Sequence, residues 1–322
     1  MSADLPGGAN VFAALALERN AEQRDDAMWL AGQLADSRAR FLVLGPNGDA
    51  LAQADASALH LLDIAEQADL DSVTPPTYLG ADQGGPYFTL RLNDGEARRV
   101  AESRSGRFLD LRSAGACLHV FQAGLFAYAR ALSHWQSQSR YCPSCAAPLR
   151  LVAAGHRAIC SDARCAIEHF PRVDPAVIMI VSHEDACLLG RQASWPERRY
   201  STLAGFVEPG ESLEDAVRRE VHEEAGIEVD QCEYHSSQPW PFPSSLMIGF
   251  SARARNRTIR LGSELSDARW FTVDDVVREI GSGELRVSSS LSVSYRLIEH
   301  WLRHAAGLKL ADLVAQGPQS PG

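Results

Sequence analysis

Two groups of side chains carry the chemistry available to this chain: glutamates between Glu211 and Glu224, and cysteines between Cys142 and Cys165. Glu220, Glu223 and Glu224 stand at i, i+3 and i+4, which puts them on one side of a helix, where each like-charge pair costs a few tenths of a kcal/mol. An ordinary solvated face relieves that repulsion with interspersed lysine or arginine, whereas a bound divalent cation reverses its sign. Mg2+ and Mn2+ are hard ions that take oxygen ligands and share their coordination with substrate phosphates, so the cluster suits phosphoryl chemistry. Glu211 supplies a further carboxylate from the loop before the helix, and Arg219 can orient one of the acids by a bidentate pair.

The cysteines suit a different ion. Cys142 and Cys145 have two residues between them, and Cys160 and Cys165 have four, so two short turns can bring four thiolates to one tetrahedral Zn2+. The hairpin between the pairs is too short to bury a core, and metal binding would supply its folding free energy. Four thiolates close the coordination sphere and leave no position for water, which makes this a structural zinc, one per chain. Arg140, Tyr141, Arg150 and Arg157 nearby keep open a second use, a ribbon that binds nucleic acid. Cys117, Cys187 and Cys232 stand apart from the cluster, and an odd total of 7 points to metal in a reducing cytosol rather than to a disulfide framework.

The acidic cluster needs a helix to hold it. Ser212, with Asp215 three residues on, resembles a capping box, and Gly226 suits a left-handed stop, so a helix is expected over Leu213 to Ala225. Leu213, Val217, Val221 and Ala225 then form an apolar stripe beside the acids. Before this helix, PAVIMIVSHEDACLLGRQ reads as a hairpin opening a sheet at Asp174, and strands around Met247 to Arg255 and a helix from about Ser292 to His304 follow. Residues 1–137 alternate strand-like runs (Arg40 to Leu44, Tyr87 to Leu92) with helical ones such as Ala123 to Gln136, and read as an α/β scaffold or dimerisation domain. The expected organisation is an N-terminal mixed α/β domain over 1–137, a zinc ribbon over 138–173, a catalytic α/β domain over 174–308 and a polar tail over 309–322, with no internal repeat visible.

Composition excludes some classes. With 322 residues, 45% hydrophobic and 22% charged, the chain can fill sizeable cores and is not a disordered polymer. A net charge of −10 argues against general attraction to nucleic-acid backbones or anionic lipid. No apolar run approaches a bilayer span, and the start lacks a basic leader, so a soluble, cytoplasmic protein without a membrane partner is expected.

The segment GFVEPGESLEDAVRREVHEEAGIEV resembles the Nudix box, GX5EX7REUXEEXGU with U aliphatic, at Gly205, Glu211, Arg219, Glu220, Val221, Glu223, Glu224, Gly226 and Ile227. The resemblance implies an α/β/α sandwich that hydrolyses nucleoside diphosphates linked to another moiety, using several Mg2+ or Mn2+ ions. It implies Glu220 and Glu224 as main ligands, Glu223 as ligand or base, and the backbone carbonyl of Ala204 as a further ligand.

Beyond the box, SQPWPFPSS reads as an extended loop, fixed by three prolines that should keep it out of a central strand, whose Trp240 and Phe242 could stack on a base. It resembles the array that marks the NADH pyrophosphatase branch, whose members also carry a zinc ribbon and an extra N-terminal domain in this order. That resemblance implies cleavage of NADH, and of NAD, to nicotinamide mononucleotide and AMP, removal of NAD caps from RNA, and a homodimer. Carried over by residue, it implies a dinucleotide pocket lined by Gln238, Pro239, Trp240, Pro241, Phe242, Pro243, Ser244 and Ser245. Glu264 matches a metal-ligand position, Phe170 a substrate-contacting aromatic, Arg112 a substrate arginine and Ser294 a backbone contact. Gly155 and His156 stand where the family often has an acid. The rival readings are a hydrolase of ADP-ribose or another nucleotide sugar, and a non-catalytic RNA-binding Nudix module.

Overall fold

The computed structural model describes residues 10–13 and 15–317. The opening residues, read above as lacking a leader, and the last five of the expected tail lie outside the described residues. The chain divides into two compact units, one of residues 1–173 with 240–244, the other of 174–239 with 245–322.

The first unit holds a six-stranded sheet and a three-stranded one. In the larger sheet β1 (Arg40–Leu44) pairs in parallel with β5 (Gly85–Arg91) and antiparallel with β2 (Ala50–Gln53) and β3 (Leu61–Leu62). The edges are β4 (Thr77–Asp82), on β5, and β6 (Gly106–Leu109), on β2. Phe41, Val43, Tyr78, Phe88 and Leu90 fill its core with Trp29 and Leu30 of α1 (Ala27–Leu34) and Ala97 and Val100 of α3 (Asp94–Ser103). A short helix α2 (Ile64–Ala68) follows β3, and α4 (Leu111–Cys117) and the long α5 (Val120–Gln138) follow β6. The small sheet is β7 (Leu149–Val152), β8 (Arg157–Cys160) and β9 (Glu168–His169), the ribbon that carries the cysteines.

In the second unit β10 (Asp174–His183) is the central strand. It pairs in parallel with β14 (Ser245–Ala254) and antiparallel with β11 (Ala186–Gln192) and β12 (Leu203–Phe206); β13 (Val229–Trp240) and β15 (Leu265–Thr272) are the edges. Alternation along β10 sends Val177, Met179 and Val181 to one face, against α6 (Leu213–Ala225). Ile178 and Ile180 go to the other, against α7 (Val273–Ser282) and α8 (Val293–Ala306). Helices therefore cover both faces of the sheet, the α/β/α sandwich the sequence implied.

Three expectations change. The tail over 309–322 is not wholly irregular: α9 (Leu310–Gln316) is helical, with Leu310 fully buried in the α7/α8 core and Leu313, one turn on, packed against the same core. Pro239 and Trp240 end a strand instead of lying in a separate loop; β13 is an edge strand, where a proline's missing N–H faces no partner. And the chain does repeat itself. β1 to β6 and β10 to β15 share one strand order, the central strand of each pairs in parallel with the fifth and antiparallel with the second and third, and each has a helix after its third strand.

No helix among the described residues is long and apolar enough to cross a membrane.

Candidate active site and metal centres

Helix α6 begins and ends where its caps dictate. Ser212 accepts from the backbone N–H of Asp215 at 3.2 Å, and Gly226, at φ 68, closes the last turn in the left-handed region. Ala216, Val217, Val221 and Ala225 are fully buried and fix the helix's rotation about its axis. That rotation carries Glu220 and Glu224 inward, with 8% and 4% of their surface exposed, while Glu223 stays at the surface.

Strand β12 runs beneath them. A Cβ on Gly205 would lie 1.9 Å from the Glu220 carboxyl carbon, so the carboxylate occupies the space that any side chain there would fill. Neighbouring Ala204 offers its backbone N–H to Glu224. The other oxygen of Glu224, Oε2, is buried without a hydrogen-bond partner. A buried carboxylate oxygen in that condition is costly unless something positive reaches it.

Arg219 is the hub of the outer layer. Its Nε donates to Glu211 Oε1 at 2.6 Å and its Nη2 to Glu211 Oε2 at 3.0 Å, the bidentate pair expected, while Nη1 reaches Glu220 Oε1 at 2.8 Å and Glu223 Oε2 at 3.1 Å. Nη2 also donates to the carbonyl of Phe206 at 2.8 Å, tying the helix to the end of β12. Arg219 holds the Glu211 carboxyl below its usual range. The inner acids shift the other way. Burial, then the charges of Glu220 and Glu264, raise Glu224 to about 8 against the Ala204 N–H; burial raises Glu220 against Arg219. The charge of Glu264 reaches both Glu220 and Glu224, so the three contribute to one patch of negative potential.

Glu264 is held there by a residue no motif marks. Gly262 donates its N–H to the Glu224 carbonyl at 3.0 Å, and a Cβ on it would lie 2.0 Å from the Glu223 carbonyl oxygen. Only glycine lets the GSEL loop lie on the last turn of α6. An oxygen-rich pocket with an unpartnered buried carboxylate fits a hard divalent cation, and Glu220, Glu224, Glu264 and the Ala204 backbone are the groups that would hold it.

The four cysteine sulfurs lie within 4.8 Å of one another, with Cys142 and Cys165 at 3.7 Å and Cys145 and Cys160 at 3.3 Å. Tetrahedral zinc at Zn–S of about 2.3 Å sets sulfurs roughly 3.8 Å apart, so the set fits that ion even with the wider second pair. Gly155 and His156 are used within their own unit: Gln136 donates to the Gly155 carbonyl at 2.8 Å, and His156 Nε2 donates to the Tyr78 carbonyl at 2.6 Å. Phe170 projects from the ribbon, 62% exposed, and is not part of a core.

The aromatic array forms its own cluster in the first unit. Trp240 and Phe242 meet at 4.9 Å between ring centroids, and Phe12 packs on both at 6.3 Å. The Arg112 guanidinium lies 4.1 Å above the Phe242 ring centroid and 5.2 Å from that of Trp240. Arg130 pins the turn by donating to the Pro241 carbonyl at 3.3 Å and to the Gly48 carbonyl at 2.9 Å. Neither Phe12 nor Arg130 carries a sequence signal for this role. Gln238 is fully buried; its amide donates to the Leu291 carbonyl at 2.7 Å and accepts from the Val293 N–H at 2.8 Å, bracing the start of α8 instead of facing a pocket. Ser294 is buried too, its hydroxyl against Ser201 at 2.8 Å and accepting from the Thr202 N–H at 3.2 Å. Ser245 opens β14 opposite Asp174 of β10.

Comparison with known proteins agrees with this architecture. A family model described as a NUDIX domain matches residues 172–289, and one described as an NADH pyrophosphatase-like rudimentary NUDIX domain matches residues 37–135, which accounts for the duplicated sheet. The chain is 39% identical over 280 residues to the NAD-capped RNA hydrolase NudC of Mycobacterium bovis, covering 83% of this chain and 84% of that protein. It is 44% identical over 199 residues to the NAD-capped RNA hydrolase NudC of Stutzerimonas stutzeri, 62% of this chain and 70% of that one. Against the NAD-capped RNA hydrolase NUDT12 of Homo sapiens it is 42% identical over 194 residues, and the match spans less than half of that relative, 42% of its length. The chain belongs to the Nudix hydrolases, in the NADH pyrophosphatase branch.

Proposed function

We propose that the protein hydrolyses the pyrophosphate bond of NADH and NAD to nicotinamide mononucleotide and AMP, and removes NAD caps from RNA 5′ ends, with Mg2+ or Mn2+ at the Nudix glutamates and structural Zn2+ at the four cysteines. One observation carries the reading: the buried, unpartnered Oε2 of Glu224 beside Glu220, packed over Gly205 where no side chain fits. Bound divalent ions would neutralise the diphosphate and lower the pKa of an attacking water. The chain's residues prepare for this. Burial raises both Glu224 and Glu220, a cost that a bound cation would offset, and Arg219 keeps Glu211, Glu220 and Glu223 in register. Glu223, at the surface, would assist as ligand or base. Trp240 and Phe242, held by Phe12, Arg112 and Arg130, offer rigid ring surfaces for a base. The branch's homodimeric state and a cytosolic location belong to the same proposal.

The test is release of AMP from NADH, NAD, ADP-ribose and NAD-capped RNA under Mg2+ and under Mn2+, by wild type, Glu220→Gln and Glu224→Gln. Both variants should lose kcat by at least about 100-fold, some 2.7 kcal/mol of barrier, with zinc content unchanged. Unimpaired variants, or AMP from ADP-ribose alone, would refute the assignment.

A further inference from the structure

The Ala204 carbonyl differs from the carboxylates around it in belonging to the backbone. No rotamer can adjust it, so its place is set by whatever holds the chain on either side. After Ala204 the hold is visible. Val207 donates its N–H to the Pro175 carbonyl at 3.1 Å, so alternation turns the peptide groups of Gly205 toward β10 and those of Ala204 and Phe206 toward the free edge of β12. On that edge the Phe206 carbonyl accepts from Arg219 Nη2 at 2.8 Å, and the Ala204 N–H faces Glu224.

Before Ala204 the chain turns a corner. Ser201 meets Gly190 of β11 through two backbone hydrogen bonds, at 2.9 and 3.0 Å, and by Leu203 the chain is paired with Met179 of β10 instead. Thr202 lies between the two pairings. Its N–H donates to the Ser294 hydroxyl at 3.2 Å; that oxygen is 2.8 Å from Ser201 Oγ, to which Ser288 Oγ donates at 3.3 Å. The cluster is closed to solvent, with Thr202 4% and Ser294 1% exposed. We propose that Ser294 is a positioning residue of the metal centre: from the first turn of α8 its hydroxyl fixes the corner at Thr202, and through it the place of the Ala204 carbonyl two residues on. The inference rests on the reading of Glu220, Glu224 and Ala204 as the divalent-ion ligands. It gives the Ser294 side chain a task separate from the backbone contact that the family resemblance implied.

The support behind the hydroxyl is rigid. Val293, Leu297 and Ile298 anchor α8 in the same core against which Ala204 packs. Strand β12 has four residues and pairs along one edge alone, so the peptide of Ala204 is steadied from the other side by two clamps, Arg219 at Phe206 and Ser294 at Thr202. Without the Ser294 oxygen the buried Thr202 N–H loses its acceptor, and the corner must turn to find another. A ligand that cannot re-aim itself would follow that turn away from the carboxylates. Loss of a group that orients a metal ligand from behind ordinarily weakens the metal by about 10- to 100-fold.

Mn2+ binding to the full-length, zinc-loaded protein, read from the EPR signal of free Mn2+ well below each variant's Tm, is the test. Ser294→Ala should weaken Mn2+ binding about 10-fold. Ser294→Cys, close to serine in shape but a poor hydrogen-bond acceptor, should weaken it too. Both should regain NADH hydrolysis as Mn2+ is raised, whereas Glu224→Gln, which lacks a ligand, should not. Wild-type Mn2+ affinity in the serine variants, whatever their Tm, overturns the inference when Glu224→Gln binds Mn2+ weakly. Unchanged Mn2+ affinity in Glu224→Gln as well would overturn the reading of the site itself. Ser294→Cys keeps the packing, so it decides alone where Ser294→Ala fails to fold.

Discussion

Gly205 shows how one residue without a side chain decides the state of one with a charge. Glu220 sits where a Cβ on Gly205 would be, and Glu224, a turn further along, is left with an unpartnered oxygen. Gly205→Ala must push the Glu220 carboxylate away from the floor of the pocket. The expected result is a kcat loss of about 100-fold or more with metal affinity weakened in parallel, since a misplaced ligand fails in both ground and transition state. Gly281→Ala, on α7 where an added Cβ meets nothing within 4 Å, is the control and should leave kcat unchanged. Steady-state kinetics with a Mn2+ titration distinguishes the two, and near-wild-type turnover by Gly205→Ala would remove Glu220 from the ligand set. The identity of this glycine was legible as a motif position, but its reason was not: nothing in a linear spacing shows that a helix carboxylate comes down on the backbone of a strand. Gly262 was illegible altogether, because its partner is the carbonyl row of a helix end, which every sequence possesses.

At the scale of elements, His156 makes a turn of the ribbon answerable to pH. It donates from Nε2 to the Tyr78 carbonyl on β4, and burial, with the charges of Arg24 and Arg19 adding to it and that carbonyl opposing, lowers it to about 4. An unfolded histidine titrates near 6.5, so between about 6.5 and 4 the unfolded chain takes up a proton that the folded one refuses. Stability from this group is therefore complete above about pH 6.5 and is lost as pH falls, by on the order of 2 kcal/mol at pH 5. Urea midpoints measured from pH 7.5 to 5 should fall less steeply for His156→Gln, which keeps a donor but cannot be charged; superimposable slopes would contradict this. The elements themselves were unevenly legible. Helix α6 was expected over the very residues it occupies, since Ser212 and Gly226 mark both ends and the apolar stripe sets its face. Helix α9 is not legible in the sequence because its core contacts, Leu310 and Leu313, span a single turn, too short for periodicity to register. Gln238 read as a pocket residue, yet its amide bridges two backbone groups of the α8 start, a demand created by tertiary packing alone. The duplication of the sheet was invisible because its two copies share pairings and not side chains: the first copy follows β3 with the five-residue α2, where the second places the thirteen-residue acidic helix.

For the whole molecule, stability rests on hydrophobic cores and, with Zn2+ at the four cysteines as proposed, on a metal. The second unit has apolar clusters on both faces of its sheet, built from residues between Val177 and Leu310. The ribbon has only short strands, and its buried side chains are chiefly Ala158 and two of the cysteines themselves. Without an ion the four cysteines lose the bonds that would join them, and strands β7 and β8 have little apolar surface to bury, so the ribbon should unfold when zinc is withdrawn. The loss should not stop there. His156 and Gly155 hold β4 and α5 through Tyr78, Thr77 and Gln136, so part of the first sheet loses its cover with the ribbon. Hydrogen exchange before and after zinc release by a thiol-specific mercurial is the measurement. Peptides across 141–169 should lose protection wholly and those of β4 in part, while β10 and α6 keep theirs, because no residue of their cores lies in the ribbon. Undiminished protection of β7 and β8 in zinc-free protein would show that the cysteines pack as ordinary small apolar side chains, and uniform loss throughout would show that one cooperative unit, not two, answers to the metal.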